Sequence, residues 1–169
     1  MAQDLPIDLS LPRAARLHQL LPALEGLLTG EPSGIANLAN VASALWSATG
    51  WHWVGFYLVD QAADNLVLGP FQGPVACTRL HRGKGVCAAA WETNATQVVP
   101  DVHEFPGHVA CSSASLSEVV LPICGSNGVV VAVLDIDSAL ADDFSQEEVE
   151  GLEALRALLE RAWPTWSWS

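Results

Sequence analysis

Helical and strand signals are segregated along this chain, and that order limits its fold more than any other feature. Leucine-rich amphipathic patterns lie at the two ends, and short aromatic or β-branched runs fill the middle. Leu11 to Leu28 has apolar residues at helical spacing, with Gly30 beyond it. Pro12 suits a first helical turn, and Pro22 is expected to kink or divide the helix. Ile35, Leu38, Ala42, Leu45 and Trp46 follow the same period and stop near Gly50. Asp142 to Ala162 is predicted as the last helix. Ser145 and Glu148 form a capping-box pair there, Val149, Leu152, Leu155 and Leu159 make the apolar face, and Pro164 ends it. The tail from Trp163 either packs or frays.

Strand signals begin at Trp51. The run W-H-W-V-G-F-Y-L-V has the composition that a pleated, half-buried surface favours. Asp60 to Asn65 reads as a hairpin loop and Leu66 to Leu68 as the return strand, ended by Gly69-Pro70. Phe71 to Gly85 is irregular, and a short helix is expected from Gly85 to Glu92. Gln97 to Val99 is a short strand. Glu118 to Ile123 and Val129 to Ile136 are strands separated by the turn Gly125-Ser126-Asn127-Gly128. The predicted class is α+β: one domain over residues 1–169 with an antiparallel sheet of about six strands. The N- and C-terminal helices would cover one face, and loops would form a pocket on the other. The core spans about 30–162, with 1–29 as an N-terminal helical segment and 163–169 as a tail.

Composition excludes several functions. The 169 residues carry a formal net charge of −12 with 7 Lys and Arg. Such a surface repels phosphate backbones and anionic lipid, so neither nucleic acid nor membrane is an expected partner. No apolar run approaches the ~20 residues that span a bilayer, and the N-terminus lacks a signal-peptide pattern. A cytoplasmic protein is expected, in which the four cysteines are thiols, metal ligands or redox partners.

The chemistry-bearing residues fall into three groups. Asp135 and Asp137 lie in L-D-I-D-S at the end of an apolar strand. Alternation points both carboxylates to one face about 6–7 Å apart, and Glu118, on the next strand, is a third acid for the same patch. This is either a solvated strand end or a site for an ammonium group or metal ion. Trp53 and Tyr57 share one face of the first strand and are either core or the wall of a small pocket. The third group is the cysteines. The loop from Val99 to Glu118 brings His103, His108 and Cys111 together, which suggests a metal site or a reactive thiol. No C-x-x-C pair supports zinc. Cys87 adjoins a helix start and Cys111 follows His108, and either setting lowers a thiol pKa, so the residues alone rank the two equally. Cys124 reads as structural, hidden by strand alternation.

The stretches W-V-G-F-Y-L, L-G-P-F-Q-G, G-K-G-V-C, V-V-P-D-V-H-E-F-P-G-H-V-A-C, S-E-V-V-L-P and L-D-I-D-S together resemble the free methionine-(R)-sulfoxide reductases, which are single GAF-type domains. The resemblance covers most of residues 30 to 162. It implies that Cys111 is the catalytic cysteine, Cys77 the resolving cysteine and Cys87 a third cysteine that assists. It also implies substrate binding by Glu118, Asp135 and Asp137, with Trp53 and Tyr57 as an aromatic wall. Cys124 lies outside the family pattern. The implied reaction is thiol-dependent reduction of free L-methionine (R)-sulfoxide through a cysteine sulfenic acid and an intramolecular disulfide. Thioredoxin is the implied reductant and a homodimer the implied assembly, with no cofactor and no metal. The rival readings are a non-catalytic sensor of a small amine and a structural zinc domain.

Overall fold

The computed structural model describes residues 5, 7–107 and 113–168. Among them, four α-helices and six strands follow one another as α1 (Arg13–Leu28), α2 (Gly34–Thr49), β1 (Trp53–Asp60), β2 (Asn65–Gln72), β3 (Arg79–His81), α3 (Gly85–Thr93), β4 (Gln97–Val99), β5 (Ser117–Cys124), β6 (Val130–Ser138) and α4 (Gln146–Ala162). The strands form one antiparallel sheet in the order β3-β2-β1-β6-β5-β4. The α+β class and the six-stranded sheet agree with the sequence reading.

Strand alternation builds two cores. Val54 and Phe56 of β1, Val119, Leu121 and Ile123 of β5, and Ala132, Leu134 and Ile136 of β6 face the buried stripes of α1, α2 and α4. The opposite face carries Trp53, Tyr57, Val120 and Val133 under α3 and the connecting loops. The terminal helices therefore bury the first face, as expected, and the second is left to the loops.

Several boundaries differ from expectation for identifiable reasons. Pro22 lies inside an unbroken α1. Leu17, Leu20, Leu24 and Leu28 lie on both sides of it and are all buried in one core; this packing outweighs one lost intrahelical hydrogen bond. β1 begins at Trp53 rather than Trp51, whose ring turns instead onto Phe144. β2 does not stop at Gly69-Pro70 but continues to Gln72. Gly55 pairs with Phe71 and Tyr57 with Leu68, so Gly69 and Pro70 together oppose Phe56. That is a bulge, where a residue without an N–H is tolerated. β3 lies within the segment read as irregular and pairs with β2 through only three residues. Asp142 has a φ of 51° and cannot start α4; Ser145 does, and its capping box with Glu148 forms as expected.

The tail packs. The N–H of Gly34 donates to Ser167 O at 3.0 Å and that of Ser167 to Pro32 O at 2.6 Å. The Trp168 ring lies so close over Gly34 that a Cβ there would sit 2.7 Å from it, so any larger residue would have to displace that ring.

One ionic cluster joins the two ends of the chain. Arg13 donates to both carboxylate oxygens of Asp143, at 2.8 and 2.7 Å, and to Glu148 Oε1 at 2.6 Å. Asp143 also accepts from Ser138, and its N–H donates to Ser117 Oγ. The ends of β5 and β6 are thereby tied to α1 and α4. Replacing Arg13 with Met should cost about 2–4 kcal/mol, because Glu148 and Asp143 would keep buried charge without their partner. Replacing it with Lys should not restore the loss, since an ammonium cannot make the same forked contacts. Urea unfolding midpoints measure both.

Candidate active site

The register of the three central strands gathers the acids. Across β1 and β6, Trp53 stands opposite Asp137 and Gly55 opposite Asp135; across β5 and β6, Glu118 stands opposite Asp137. All lie on the face away from α1, α2 and α4. α3 packs over β5 and β6 from above and brings Cys87 down to the acids. Between them is a cavity of about 590 Å³, open mouth included. Its wall comprises Trp53, Tyr57, Cys87, Glu118, Asp135 and Asp137, together with Leu80, Ser115, the loop Pro74–Ala76 and the start of α3 from Lys84 to Val86.

The aromatic wall depends on glycine. A Cβ at Gly55 would collide with the Trp53 ring and with Phe71 Cβ, so the missing side chain lets the indole lie flat along β1. Trp53 then stacks between Phe71 and Tyr57, with centroids 5.3 and 6.0 Å away. The polar tips of both aromatics hold the neighbouring loop. Trp53 Nε1 donates to Pro74 O and Tyr57 Oη to Cys77 O, each at 3.0 Å. Gly73, with a φ of 124°, starts that loop, and a side chain there would strike Trp53 and His52 O.

Electrostatics divides the acids into two kinds. Glu118 and Asp135 are both buried, and they hydrogen-bond to each other. Burial first, and then the charge of Asp135 for Glu118 and of Asp137 for Asp135, push both carboxyls well above their usual range, so the pair titrates as a unit and keeps a proton. Asp135 Oδ1 has no hydrogen-bond partner. Asp137 keeps a partly exposed edge. Burial raises it to about 6, while a hydrogen bond from Ser115 and the nearby His52 act in the opposite direction. Near neutral pH the site therefore holds an ionised Asp137 beside a carboxyl pair that can give a proton.

Cys87 differs from the sequence expectation in one respect. It does lie in the first turn of α3, but it is sealed from solvent beside Asp135 and Glu118. Burial and those carboxyls push its thiol well above the ordinary value. The helix terminus does not offset them. Cys87 Sγ and one oxygen each of Glu118 and Asp135 lie within 4.8 Å of one another. All three groups favour the protonated form, so a metal ion would have to displace those protons before binding.

Cys77 is disulfide-bonded, while Cys87 and Cys124 are free thiols. Cys111, to which the family resemblance assigned the attacking thiol, and His108 lie outside the described residues. His103 is exposed and hydrogen-bonds Asp101 at 3.0 Å. Cys124 is not hidden as alternation suggested. It sits at the end of β5, beyond a register shift, where its partly exposed thiol donates to Asn94 Oδ1 at 3.2 Å. Ser115, Lys84 and Leu80 line the cavity without having been singled out from sequence; only the tertiary fold brings them there. No helix among the described residues is long and apolar enough to cross a membrane.

Asp137 is the group whose effect on stability can be read most directly. The fold raises its pKa from 3.8 to about 6, so the protonated form is the one the fold prefers. Below 3.8 both folded and unfolded chains are protonated and no cost arises; the cost of ionisation grows as pH rises through that window and is complete above about 6. Asp137→Asn should therefore stabilise the protein by about 1–2 kcal/mol at pH 7, and the gain should vanish near pH 3.5. Urea denaturation at the two pH values tests this.

The sequence model of the GAF domain family matches residues 38–163. The free methionine-R-sulfoxide reductase of Escherichia coli is 46% identical over 140 residues, covering 82% of this chain and 83% of the relative. The enzyme of the same name from Saccharomyces cerevisiae is 41% identical over 152 residues, covering 86% and 84%. The X-ray structure of the free methionine-R-sulfoxide reductase from Neisseria meningitidis, in complex with its substrate, superposes with a TM-score of 0.92 at 44% identity and covers 97% of each chain. The fold, the matched length and these relatives together show that the chain belongs to the free methionine-R-sulfoxide reductases of the GAF domain family.

Proposed function

We propose that this chain reduces free L-methionine (R)-sulfoxide to L-methionine, with Cys111 as nucleophile and Cys77 as resolving thiol. The observation that carries the reading is the convergence of Glu118, Asp135 and Asp137 beside the stacked wall of Trp53 and Tyr57. The substrate has one cation, one sulfoxide oxygen that must be protonated and one apolar methyl group, and the cavity has a counterpart for each. Ionised Asp137 pairs with the ammonium. The protonated Glu118/Asp135 pair donates to the sulfoxide oxygen. Trp53 and Tyr57 hold the methyl group.

The reaction balances without a cofactor. The Cys111 thiolate attacks the sulfoxide sulfur as the carboxyl pair protonates the oxygen. Methionine leaves with its sulfur reduced by two electrons, and Cys111, oxidised by two, becomes a sulfenic acid. The Cys77 thiol then displaces water and forms a disulfide. Thioredoxin restores both thiols by exchange. Cys87 assists from the cavity floor, where its neutral thiol contacts the Asp135 carboxyl. In this reading the compartment is the cytoplasm and the assembly a homodimer, for which exposed Ile35 and Trp46 of α2 offer apolar surface.

With thioredoxin, its reductase and NADPH, the free R sulfoxide should drive NADPH loss, and the S form and peptide-bound sulfoxide should not. Cys111→Ser should release no methionine even in one turnover. Cys77→Ser should release about one methionine per site, then stall with thioredoxin. Failure of Cys77→Ser in that first turnover would reverse the two roles. Because Asp137 titrates at about 6, KM for the sulfoxide should rise as pH falls below that value, with a smaller change in kcat.

A further inference from the structure

Among the described residues, one set of thiol and carboxylate groups is close enough to share a metal ion: Cys87 Sγ with one oxygen each of Glu118 and Asp135, all within 4.8 Å of one another. The three come from α3, β5 and β6, whose packing against one another fixes their separation. Tetrahedral zinc with thiolate and carboxylate ligands spaces such atoms about 3.3–3.6 Å apart, so small side-chain rotations close the set. A second observation concerns Asp135 itself. Three buried polar side-chain atoms among the described residues have no hydrogen-bond partner: Trp51 Nε1, Trp166 Nε1 and Asp135 Oδ1. The two indole nitrogens are donors, and neither tryptophan lines the cavity. Asp135 Oδ1 is the one acceptor, on a side chain that is 7% exposed and forms part of the cavity wall. An acceptor kept from water without a donor is a standing cost, and a cation removes it.

The charged side chains lining the cavity are Glu118, Asp135, Asp137 and Lys84. Three acids stand against one base, in a chain of formal net charge −12, so small cations are drawn in. The donor set selects among them. A thiolate beside two carboxylates suits zinc and its analogues and disfavours magnesium and calcium, which take all-oxygen shells. We propose that Cys87, Glu118 and Asp135 form an inhibitory site for a zinc-type divalent cation that excludes substrate from the cavity. On binding, the thiol proton and the proton shared by the two carboxyls pass to solvent. The metal thus removes the proton that the sulfoxide oxygen requires and occupies the same floor of the cavity, with its fourth position left to water. Binding stands on the geometry of the three ligands; inhibition rests on the proposed reductase reading.

Cobalt(II) is the probe for binding, because thiolate coordination gives it a charge-transfer band. The full-length Cys77→Ser/Cys111→Ser protein takes the two thiols of the proposed reaction out of the measurement. It should bind one cobalt per chain with a thiolate-to-cobalt band, and zinc should displace that cobalt. Adding Cys87→Ser should abolish the band, and so should Cys87→Ala, which keeps the apolar packing. Adding Asp135→Asn should keep the band but weaken binding at least about 10-fold. Adding Cys124→Ser should change neither. No band in the parent variant, or a band that survives both Cys87 substitutions, overturns the site. Inhibition is read in one turnover of the reduced wild-type protein, without thioredoxin. Zinc should slow methionine release, excess free sulfoxide should restore it, and Cys87→Ala should lose the sensitivity to zinc. Cobalt binding with methionine release unchanged or accelerated by zinc overturns the inhibitory role, as does equal slowing of Cys87→Ala. Absence of methionine release from the metal-free wild type defeats the reductase reading instead, and the cobalt titration alone then decides the site.

Discussion

Two carboxyl groups buried in contact cannot both carry charge, and the sheet places Glu118 and Asp135 in that position. Neighbouring strands β5 and β6 supply them, and burial is enforced by α3 above and by the helical core below. The cost of holding such a pair in a dry site is met by a shared proton. A residue slip in either strand would turn the acids toward α1, α2 and α4, against a largely apolar core. The helical core and the acid site are therefore one constraint seen from two sides. The leucines of α1 and α4 fix the register that keeps the carboxyls together.

The arrangement is rigid on one side and adaptable on the other. Behind the acids, Ser117 and Ser138 point to the helical face and join the cluster of Arg13, Asp143 and Glu148. Each serine adjoins an acid of the site, so the strand ends that present Glu118 and Asp137 are braced from the far side of the sheet. In front, the cavity is closed by loops and one short helix. A mechanism in which one cysteine meets first a substrate and then another cysteine requires that division.

Much of this was legible from spacing. Alternation alone placed Trp53 with Tyr57 and Asp135 with Asp137, because the period of a strand is two and β1 pairs with β6 without a bulge. The capping box at Ser145 was equally plain, being a local device. What escaped depended on distant neighbours. Pro22 sits within a helix because leucines on either side share one core. β3 is too short to carry its own signal and exists only as a partner of β2. Cys87 has the sequence context of an activated thiol, but the acids that push its pKa up come from strands more than thirty residues away. Lys84 was visible only as part of a glycine-rich motif, and only the fold places it at the cavity.

The grip of Trp53 and Tyr57 on Pro74 O and Cys77 O has an evolutionary consequence. Both contacts are made to main-chain carbonyls, which every residue possesses. The loop between them can exchange Val75 or Ala76 for other side chains without losing its anchor. Those positions line the cavity, so they form a region where sequence drift can reshape ligand preference while the fastening of the cysteine segment stays the same.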